Sequence, residues 1–421
     1  MTITMYYADF HIHSKYSRAT SSMCTPEGLS HWAQLKGITV CATGDCTHPK
    51  WMEELKEKLV KAPDADGLYQ LTREAQKIAD HDVPDHCRAT VRFIATGEIS
   101  SIYKRGGRTR KVHSIIVLPS LEVAERVNAK LGEIGNIVSD GRPILGLDPC
   151  RLLEILLETD SRCALIPAHI WTPWFSMLGS KSGFDSVEEC FGDLSSHIFA
   201  VEMGLSSDVP MNRRIRCLDH LTLISNSDLH SPSNLGRNAT VFHGKLGYDA
   251  MLGAMRSRDL KRWGGAIDLF PEEGKYYLDG HRTCGVCMEP EESMACGNIC
   301  PVCGKELTIG VLHRVVEIER FGRGSPTPPS AFAPDVYHYI IPLIELIAQT
   351  LNVGVTSKKV QAAYQKILAE HGNELALLLD APDSELDLLG QVGACIRAVR
   401  KGHVTRKGGY DGEYGVIRAE V

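Results

Sequence analysis

The sequence predicts an α/β protein of successive β/α units, followed by a small cysteine-rich unit and a mainly helical C-terminal region. Three observations predict it. Over residues 1 to about 275, short apolar runs alternate with stretches of helical periodicity. Those runs end again and again in Asp, Glu or His. Five cysteines then crowd into positions 284 to 303, ahead of a tail with helical pattern.

At 421 residues the chain is long enough for two or three domains and a sizeable core. Apolar residues make up 43% and charged residues 23%, the balance of a soluble globular protein. No stretch approaches ~18 uninterrupted apolar residues, and the first residues have strand character rather than that of a basic-then-apolar leader. A cytosolic protein without a membrane partner is the expectation. The 14 cysteines are spread over a long chain apart from the cluster, which favours reduced thiolates on a metal over a disulfide framework. A net charge of −6 argues against coating nucleic acid through the overall field, while local basic patches are compatible with it.

The first run, 4–10, leads into Asp9-Phe10-His11-Ile12-His13. Strand residues at i and i+2 share a face, so His11 and His13 are placed to grip one ion. In isolation they would read as two ordinary half-buried histidines. Further strands are expected at 39–43, 91–98, 112–118, 164–168, 200–203 and 222–225, with helices at 26–36, 121–132, 151–159 and 211–219. In parallel β/α folds, functional residues gather at the C-terminal ends of strands. This chain has Asp45 with His48, then Glu98, His169, Glu202, and Asp228 with His230 at such ends, and His113 opens the strand after Glu98.

Residues 276–283 read as a polar linker. Beyond them, Cys284-x-x-Cys287 and Cys300-x-x-Cys303 have the spacing of a zinc ribbon, two tight turns presenting four thiolates to one structural Zn²⁺; Cys296 is a spare. A stiff, turn-rich stretch at 322–329 closes that unit. Helices are expected at 336–350, 357–372, 374–379 and 383–401, with Thr356-Ser357 capping the second, and 402–421 forms a short β or loop appendage. The domain reading is 1–275, 276–325 and 326–421.

Imidazole and carboxylate ligands suit Zn, Mn or Fe, and one carboxylate can bridge two ions. Bound cations would relieve the repulsion among acidic groups converging at one site. Two or three ions about 3.5 to 4 Å apart clamp a phosphate, generate hydroxide at neutral pH and stabilise a leaving oxygen. Phosphoester hydrolysis is the chemistry indicated.

His11-x-His13, Asp45 with a nearby His, Glu98, His113, His169 and Ser227-Asp228-x-His230 resemble the ordered motifs of the polymerase and histidinol phosphatase (PHP) family. That resemblance implies a distorted (β/α)7 barrel holding two or three divalent ions, Zn, Mg or Mn. It implies one ion on His11, His13, Glu98 and Asp228, a second on Glu98, His113 and His169, and a third involving His230. Where many members have a further His and a Thr-Asp-His triplet, this chain has Ala19 and Gly44-Asp45-Cys46, so Asp45 or His48 would have to serve at the third site. Asp228 and Glu98 are the expected catalytic carboxylates.

A PHP barrel joined to a zinc ribbon and a helical tail resembles, more narrowly, the endonuclease Q family. The likeness is carried by Asp9-x-His11-x-His13-Ser14-x-Tyr16-Ser17-Arg18-Ala19-Thr20-Ser21, Gly44-Asp45-x-Thr47-His48-Pro49-x-Trp51, Pro167-Ala168-His169-x-Trp171-Thr172-Pro173-Trp174-Phe175-Ser176 and Gly409-Tyr410-Asp411-Gly412-x-Tyr414-Gly415. It implies a DNA repair endonuclease that nicks 5′ of uracil, hypoxanthine or xanthine and acts at abasic sites, with damaged double- or single-stranded DNA as partner. The residues themselves supply a basic hairpin, Lys104, Arg105, Arg108, Arg110 and Lys111 around a Gly-Gly turn, able to hold phosphates without reading sequence. A base pocket is expected among Tyr16, Ser17, Arg18, Thr20, Trp171 and Trp174, aromatic faces and hydroxyls near the metal motifs. A phosphatase of small phosphomonoesters leaves the ribbon, tail and hairpin unexplained. A non-catalytic DNA-binding module predicts lost ligands, whereas most are present. Protein partners are not indicated.

Overall fold

The computed structural model describes residues 5–321 and 335–421. Residue 4 of the expected first strand and the expected 322–329 boundary lie outside the described residues. Six strands come first: β1 Met5–Asp9, β2 Val40–Ala42, β3 Leu59–Lys61, β4 Tyr69–Leu71, β5 Arg92–Arg105 and β6 Arg108–Leu118. Then follow β7 Ile144–Leu145, β8 Ala164–Pro167, β9 Ala200–Glu202, β10 Thr222–Ile224, β11 Ala239–His243 and β12 Trp263–Asp268. The last are β13 Asp279–His281, β14 Val286–Met288, β15 Tyr337–Tyr339, β16 Val404–Lys407 and β17 Val416–Ala419.

A large mixed sheet runs β15-β12-β11-β1-β2-β5-β4-β3, with β6 and β7 also on β5 and β8 on β6. Its centre is parallel, β1 to β2 and β2 to β5, as alternation with helices demands. β12 with β15 and β5 with β7 are parallel as well, but the remaining pairs of the sheet are antiparallel, which a reading of uniform β/α units does not anticipate. The reason is local for β5 and β6: Gly106 and Gly107, at φ 59° and 75°, close a two-residue hairpin, a connection that only antiparallel strands accept. Strands β9 and β10 form their own parallel pair. The hydrogen-bond ladder among the described residues is therefore not continuous around a closed barrel.

Helix Leu121–Ile134 starts where Ser120 Oγ accepts from Val123 N, and Pro149–Thr159 starts where Asp148 accepts from Cys150 N. Apolar residues at helical spacing, Leu121, Val123, Ala124, Val127 and Leu131, turn inward on the first of these. One continuous apolar core runs from Phe10 and Phe242 to Leu346 and Cys395 of the C-terminal helices. A second, small cluster of Val286, Cys300 and Leu307 belongs to the cysteine-rich unit. Buried Lys36 and Glu374 pair at 2.7 Å, and Tyr364 Oη donates to Glu374 at 2.6 Å, pinning the C-terminal region to the first helix. Removing one partner of such a pair costs about 3–5 kcal/mol.

Three expected helices differ. The stretch 336–350 divides into β15 and helix Leu343–Leu351, because Pro342 stands at the helix N-cap. The stretch 383–401 divides into Asp383–Leu388 and Gln391–Arg400 around Gly390 at φ 55°. The stretch 211–219 shortens to Val209–Asn212 and a 3-10 turn, Arg216–Leu218. Residues expected as a linker at 276–283 instead begin a hairpin, β13 with β14.

Candidate metal centre and its cavity

His11 and His13 follow β1, and both imidazoles reach one buried point. His13 Nε2 lies 3.2 Å from Asp228 Oδ1 and 3.3 Å from Glu98 Oε2. His11 Nε2 lies 3.5 Å from Glu98 Oε2 and 3.7 Å from Asp228 Oδ1. On the other side, Glu98 Oε1 stands 2.6 Å from His113 Nδ1 and 3.3 Å from His169 Nε2. Glu98 thus lies between two groups, His11 with His13 and Asp228, and His113 with His169. Left-handed backbone at His169 (φ 28°) and Asp228 (φ 46°) is conformational strain held at the site by its surroundings.

His11 Nε2, His13 Nε2, His113 Nδ1 and Asp228 Oδ1 are buried without a hydrogen-bond partner, whereas His169 Nε2 and Glu98 Oε1 are hydrogen-bonded to each other. Leaving such atoms unsatisfied costs roughly 1–3 kcal/mol each. Nitrogen and carboxylate donors converging in two groups of three, each within 4.8 Å, fit two divalent ions with Glu98 between them. The electrostatics agree. Burial disfavours the charged forms of His11 and His13, yet the surrounding carboxylates raise both above the ordinary imidazole value, and the histidines hold Glu98 and Asp228 below theirs. His113 is pushed down to about 4 by burial against the pull of Glu98.

Supporting groups fix the imidazoles. Glu202, at the end of β9, lies 3.0 Å from His11 Nδ1 and accepts from His169 N at 2.7 Å and from Asn226 Nδ2 at 2.9 Å. Asp45 Oδ1 is 3.1 Å from His13 Nδ1. The expectation that Asp45 or His48 serves as a ligand is corrected here. Asp45 orients His13 from behind, and His48 turns away, its Nε2 2.8 Å from Val138 O and its Nδ1 accepting from Trp51 N at the start of helix Pro49–Lys58. His230 stays at the cavity beside His13, its ring 4.6 Å away, with Nδ1 on Asp228 O.

A cavity of about 500 Å³ opens onto these residues. Of the expected base pocket, Arg18 and Trp174 line it. Trp171 does not: it is 1% exposed and donates Nε1–H to Asn212 Oδ1 at 2.8 Å, a core residue. Ser17 is buried on Asp45, Tyr16 stacks on His48 at 4.5 Å, and Thr20 bonds to Arg18 O. Several lining residues were not anticipated. Tyr276 meets Trp174 edge-on at 6.0 Å, and Lys275 lies over both Tyr276 and Tyr414. Arg142 and Asp140, from the turn before β7, also line it. Tyr414 stood in a recognised motif, whereas a charged pair around Gly141 carries no local signal of this place.

In the basic hairpin, Arg105 donates to Cys190 O, Arg110 lies over Phe184 and bonds to Gly183 O, and Lys111 lies over Phe175, which itself packs on His113 at 4.8 Å. Lys104 and Arg108 stand near the tip. Six residues separate that tip from His113, about 20 Å at ~3.4 Å per residue.

In the cysteine-rich unit the structure brings His281, Cys284, Cys300 and Cys303 together, with His281 Nδ1 3.5 Å from Cys303 Sγ. The expected ligand Cys287 is absent from the group. Side chains alternate along a strand, and Val286 and Met288 of β14 face the small core, which turns Cys287 outward. Cys300 is drawn down to about 7, burial being outweighed by the N–H groups of Val302 and Cys303. Three sulfurs and one imidazole fit a tetrahedral ion.

Residues 342–403 match the family model described as the MJ0043 C-terminal domain. The chain is 32% identical over 274 residues to the MJ0043 protein of Methanocaldococcus jannaschii, an alignment covering 62% of this chain and 33% of that protein. It therefore spans about a third of that relative's length. With the YqxK protein of Bacillus subtilis it shares 27% identity, over 98% of this chain and 99% of the other. The crystal structure of the lesion-specific endonuclease PfuEndoQ from Pyrococcus furiosus superposes with a TM-score of 0.82 at 29% identity, covering 99% of this chain and 95% of that one. Endonuclease Q in complex with a 27-mer duplex, an abasic lesion at its active site, gives the same TM-score and identity, with 99% and 97% covered. Likeness of that extent reaches past the fold to the whole arrangement of parts: the chain is similar to endonuclease Q over nearly its entire length.

Proposed function

We propose that this protein is a metal-dependent DNA repair endonuclease that nicks the phosphodiester 5′ of a deaminated base or at an abasic site. The observation that carries the reading is the pair of ligand groups with Glu98 between them, beside a cavity lined by His113, His169 and Asp228, in a chain whose structural neighbour holds an abasic duplex substrate. In this reading the α/β portion is a PHP-type barrel, the Cys/His unit carries a structural Zn²⁺, and the metal centre holds two ions, Zn, Mg or Mn. Among the described residues no helix is long and apolar enough to cross a membrane.

Divalent ions held there supply Lewis acidity: they neutralise phosphate charge and make water a stronger acid at neutral pH. The residues do the rest. Glu98 and Asp228 bring the carboxylate charge that holds the cations, and Glu202 and Asp45 keep His11 and His13 with their Nε2 atoms facing inward. A water oxygen bonds to phosphorus, the P–O3′ bond breaks, and the proton lost by water ends on O3′, leaving 3′-hydroxyl and 5′-phosphate ends. His230, at the cavity wall and held below its ordinary value by burial, is placed to pass that proton. Trp174, Tyr276 and Tyr414 offer rings on which a displaced base stacks. Lys104 and Arg108 meet phosphates further along the duplex.

The test is incubation of purified protein with labelled duplexes bearing one uracil, hypoxanthine, xanthine or abasic site, with Mg²⁺, Mn²⁺ or Zn²⁺ and with chelator. A single metal-dependent nick 5′ of the lesion is expected. No nick with any metal, or equal cutting of undamaged duplex, overturns the reading.

A further inference from the structure

Beside the metal centre stands a cationic group that neither ligates nor belongs to the basic hairpin. Arg142 Nη1 donates to Glu98 Oε2 at 3.1 Å, the same oxygen that faces His11 and His13. It is the single side-chain hydrogen bond that this guanidinium makes among the described residues, so most of its five N–H groups remain available on a residue that lines the cavity.

The turn that carries it is built around buried Asp140, which is 7% exposed. Asp140 Oδ1 accepts from Arg142 N at 3.1 Å and from Arg18 N at 3.4 Å, while Oδ2 meets Arg18 Nε at 3.2 Å. Two arginines from distant parts of the chain are thereby set side by side on one wall. Gly141 between them donates to Tyr16 O at 3.0 Å, and a Cβ there would come within 2.2 Å of Asp45 Oδ2 and 2.5 Å of Ser17 Oγ. The turn is thus packed directly against the carboxylate that orients His13. Any larger residue at 141 would push the two arginines and the metal centre apart. An ion pair to Glu98 alone would not require a second arginine held by the same carboxylate, nor an open cavity in front of both.

We propose that Arg142, set with Arg18 by Asp140, is a catalytic residue that binds the non-bridging oxygens of the phosphodiester at the metal centre. The inference rests on the nuclease reading above. A planar guanidinium offers parallel N–H donors matched to two phosphate oxygens, and here it sits where negative charge grows as the water oxygen approaches phosphorus. Arg18, far more exposed, takes the neighbouring phosphate of the strand, and Asp140 is a positioning residue for both.

Two measurements on wild type, Arg142→Ala, Arg142→Lys and Asp140→Asn decide it. The first is inorganic phosphate binding by titration with Ca²⁺ present, beside the bound-metal content of each protein. The second is single-turnover nicking of an abasic-site duplex at saturating enzyme. Arg142→Ala should weaken phosphate binding at least tenfold and slow nicking at least a hundredfold at unchanged metal content and near-unchanged duplex affinity. Arg142→Lys should recover part of both, and added guanidinium ion should accelerate the Ala variant but not wild type. Asp140→Asn should weaken phosphate binding less than Arg142→Ala and move nicking the same way, with no response to guanidinium. Phosphate binding and nicking within threefold of wild type, or losses that follow lost metal, overturn the proposal. If wild type fails to nick yet binds phosphate through Arg142, the nuclease reading fails while the anion site stands.

Discussion

Asp45 Oδ1 stands 3.1 Å from Nδ1 of His13, and its other oxygen accepts from Ser14 N, Ser14 Oγ and Ser17 Oγ at 2.7, 2.6 and 2.8 Å. A carboxylate tied down on three sides accepts the hydrogen bond from Nδ1–H and leaves Nε2 as the ring nitrogen toward Asp228. Asp45→Asn keeps the shape and removes the charge. Affinity for the ion on His11, His13 and Asp228 should fall about 10–100-fold, read by competition with a chromophoric chelator. Unchanged affinity would mean that His13 needs no such partner.

The rule that functional residues collect at strand ends points to His11, His13, His169 and Asp228, which follow β1, β8 and β10, whereas Glu98 and His113 stand in the middle of the long paired strands β5 and β6. The same rule does not tell a ligand from its support. Asp45 and His48 have the composition of ligands, and backbone direction decides their fate: Asp45 turns at φ 43°, and His48 becomes the cap of the next helix. Cys287 and His281 are separated by hairpin register alone, since His281 pairs with Val286 while Cys287 pairs with Gly280. Arg142 reaches Glu98 only through the fold. Strand β12 includes Gly264 and Gly265, which offer no side chains to a strand pattern, and Gly265 stands at φ 102° beside the register shift between β11 and β12.

His281 in place of Cys287 has a spectroscopic consequence. Cobalt bound to three thiolates and one imidazole absorbs differently in the visible from cobalt bound to four thiolates. Cys287→Ser should retain one equivalent of metal in the cysteine-rich unit with an unchanged spectrum. His281→Ala or Cys300→Ser should lose the ion, and with it the fold of a unit whose own core is three residues, Val286, Cys300 and Leu307. A cobalt spectrum altered by Cys287→Ser would restore the four-cysteine assignment.

Trp171 and Trp174 lie three residues apart and predict opposite phenotypes. Trp171 fills the core at 1% exposure, so Trp171→Ala should cost about 3–5 kcal/mol in denaturant unfolding. Trp174 is 40% exposed, and its truncation should change stability by under about 1 kcal/mol. Duplex binding responds the other way. Losing one stacking ring at the cavity should weaken lesion-duplex affinity by roughly 1–3 kcal/mol in Trp174→Ala, measured by fluorescence anisotropy. Equal duplex affinity in Trp174→Ala and wild type would remove that ring from the substrate path.

Asp268, at the end of β12, is fully buried; burial and the nearby Asp208 raise its carboxyl to about 8 although Ser225 Oγ donates to it. The sign follows from proton counts. Between the unfolded value near 4 and about 8, the folded protein holds one more proton at this position than the unfolded chain, so stability falls as pH rises. Below pH ~4 both states are protonated and the group contributes no slope. Above about 8 both are ionised, and the full cost of burying the charge is present. Asparagine at this position does not titrate and still accepts from Ser225 and Asn238. Asp268→Asn should therefore gain on wild type by up to roughly 1.4 kcal/mol per pH unit across that window, and the gain should level off above it. Urea unfolding of both proteins at pH 5, 7 and 9 reads the difference. A gap that stays constant over those three pH values would mean that Asp268 is ionised throughout in the folded protein, with its charge balanced by a group other than Ser225 and Asn238.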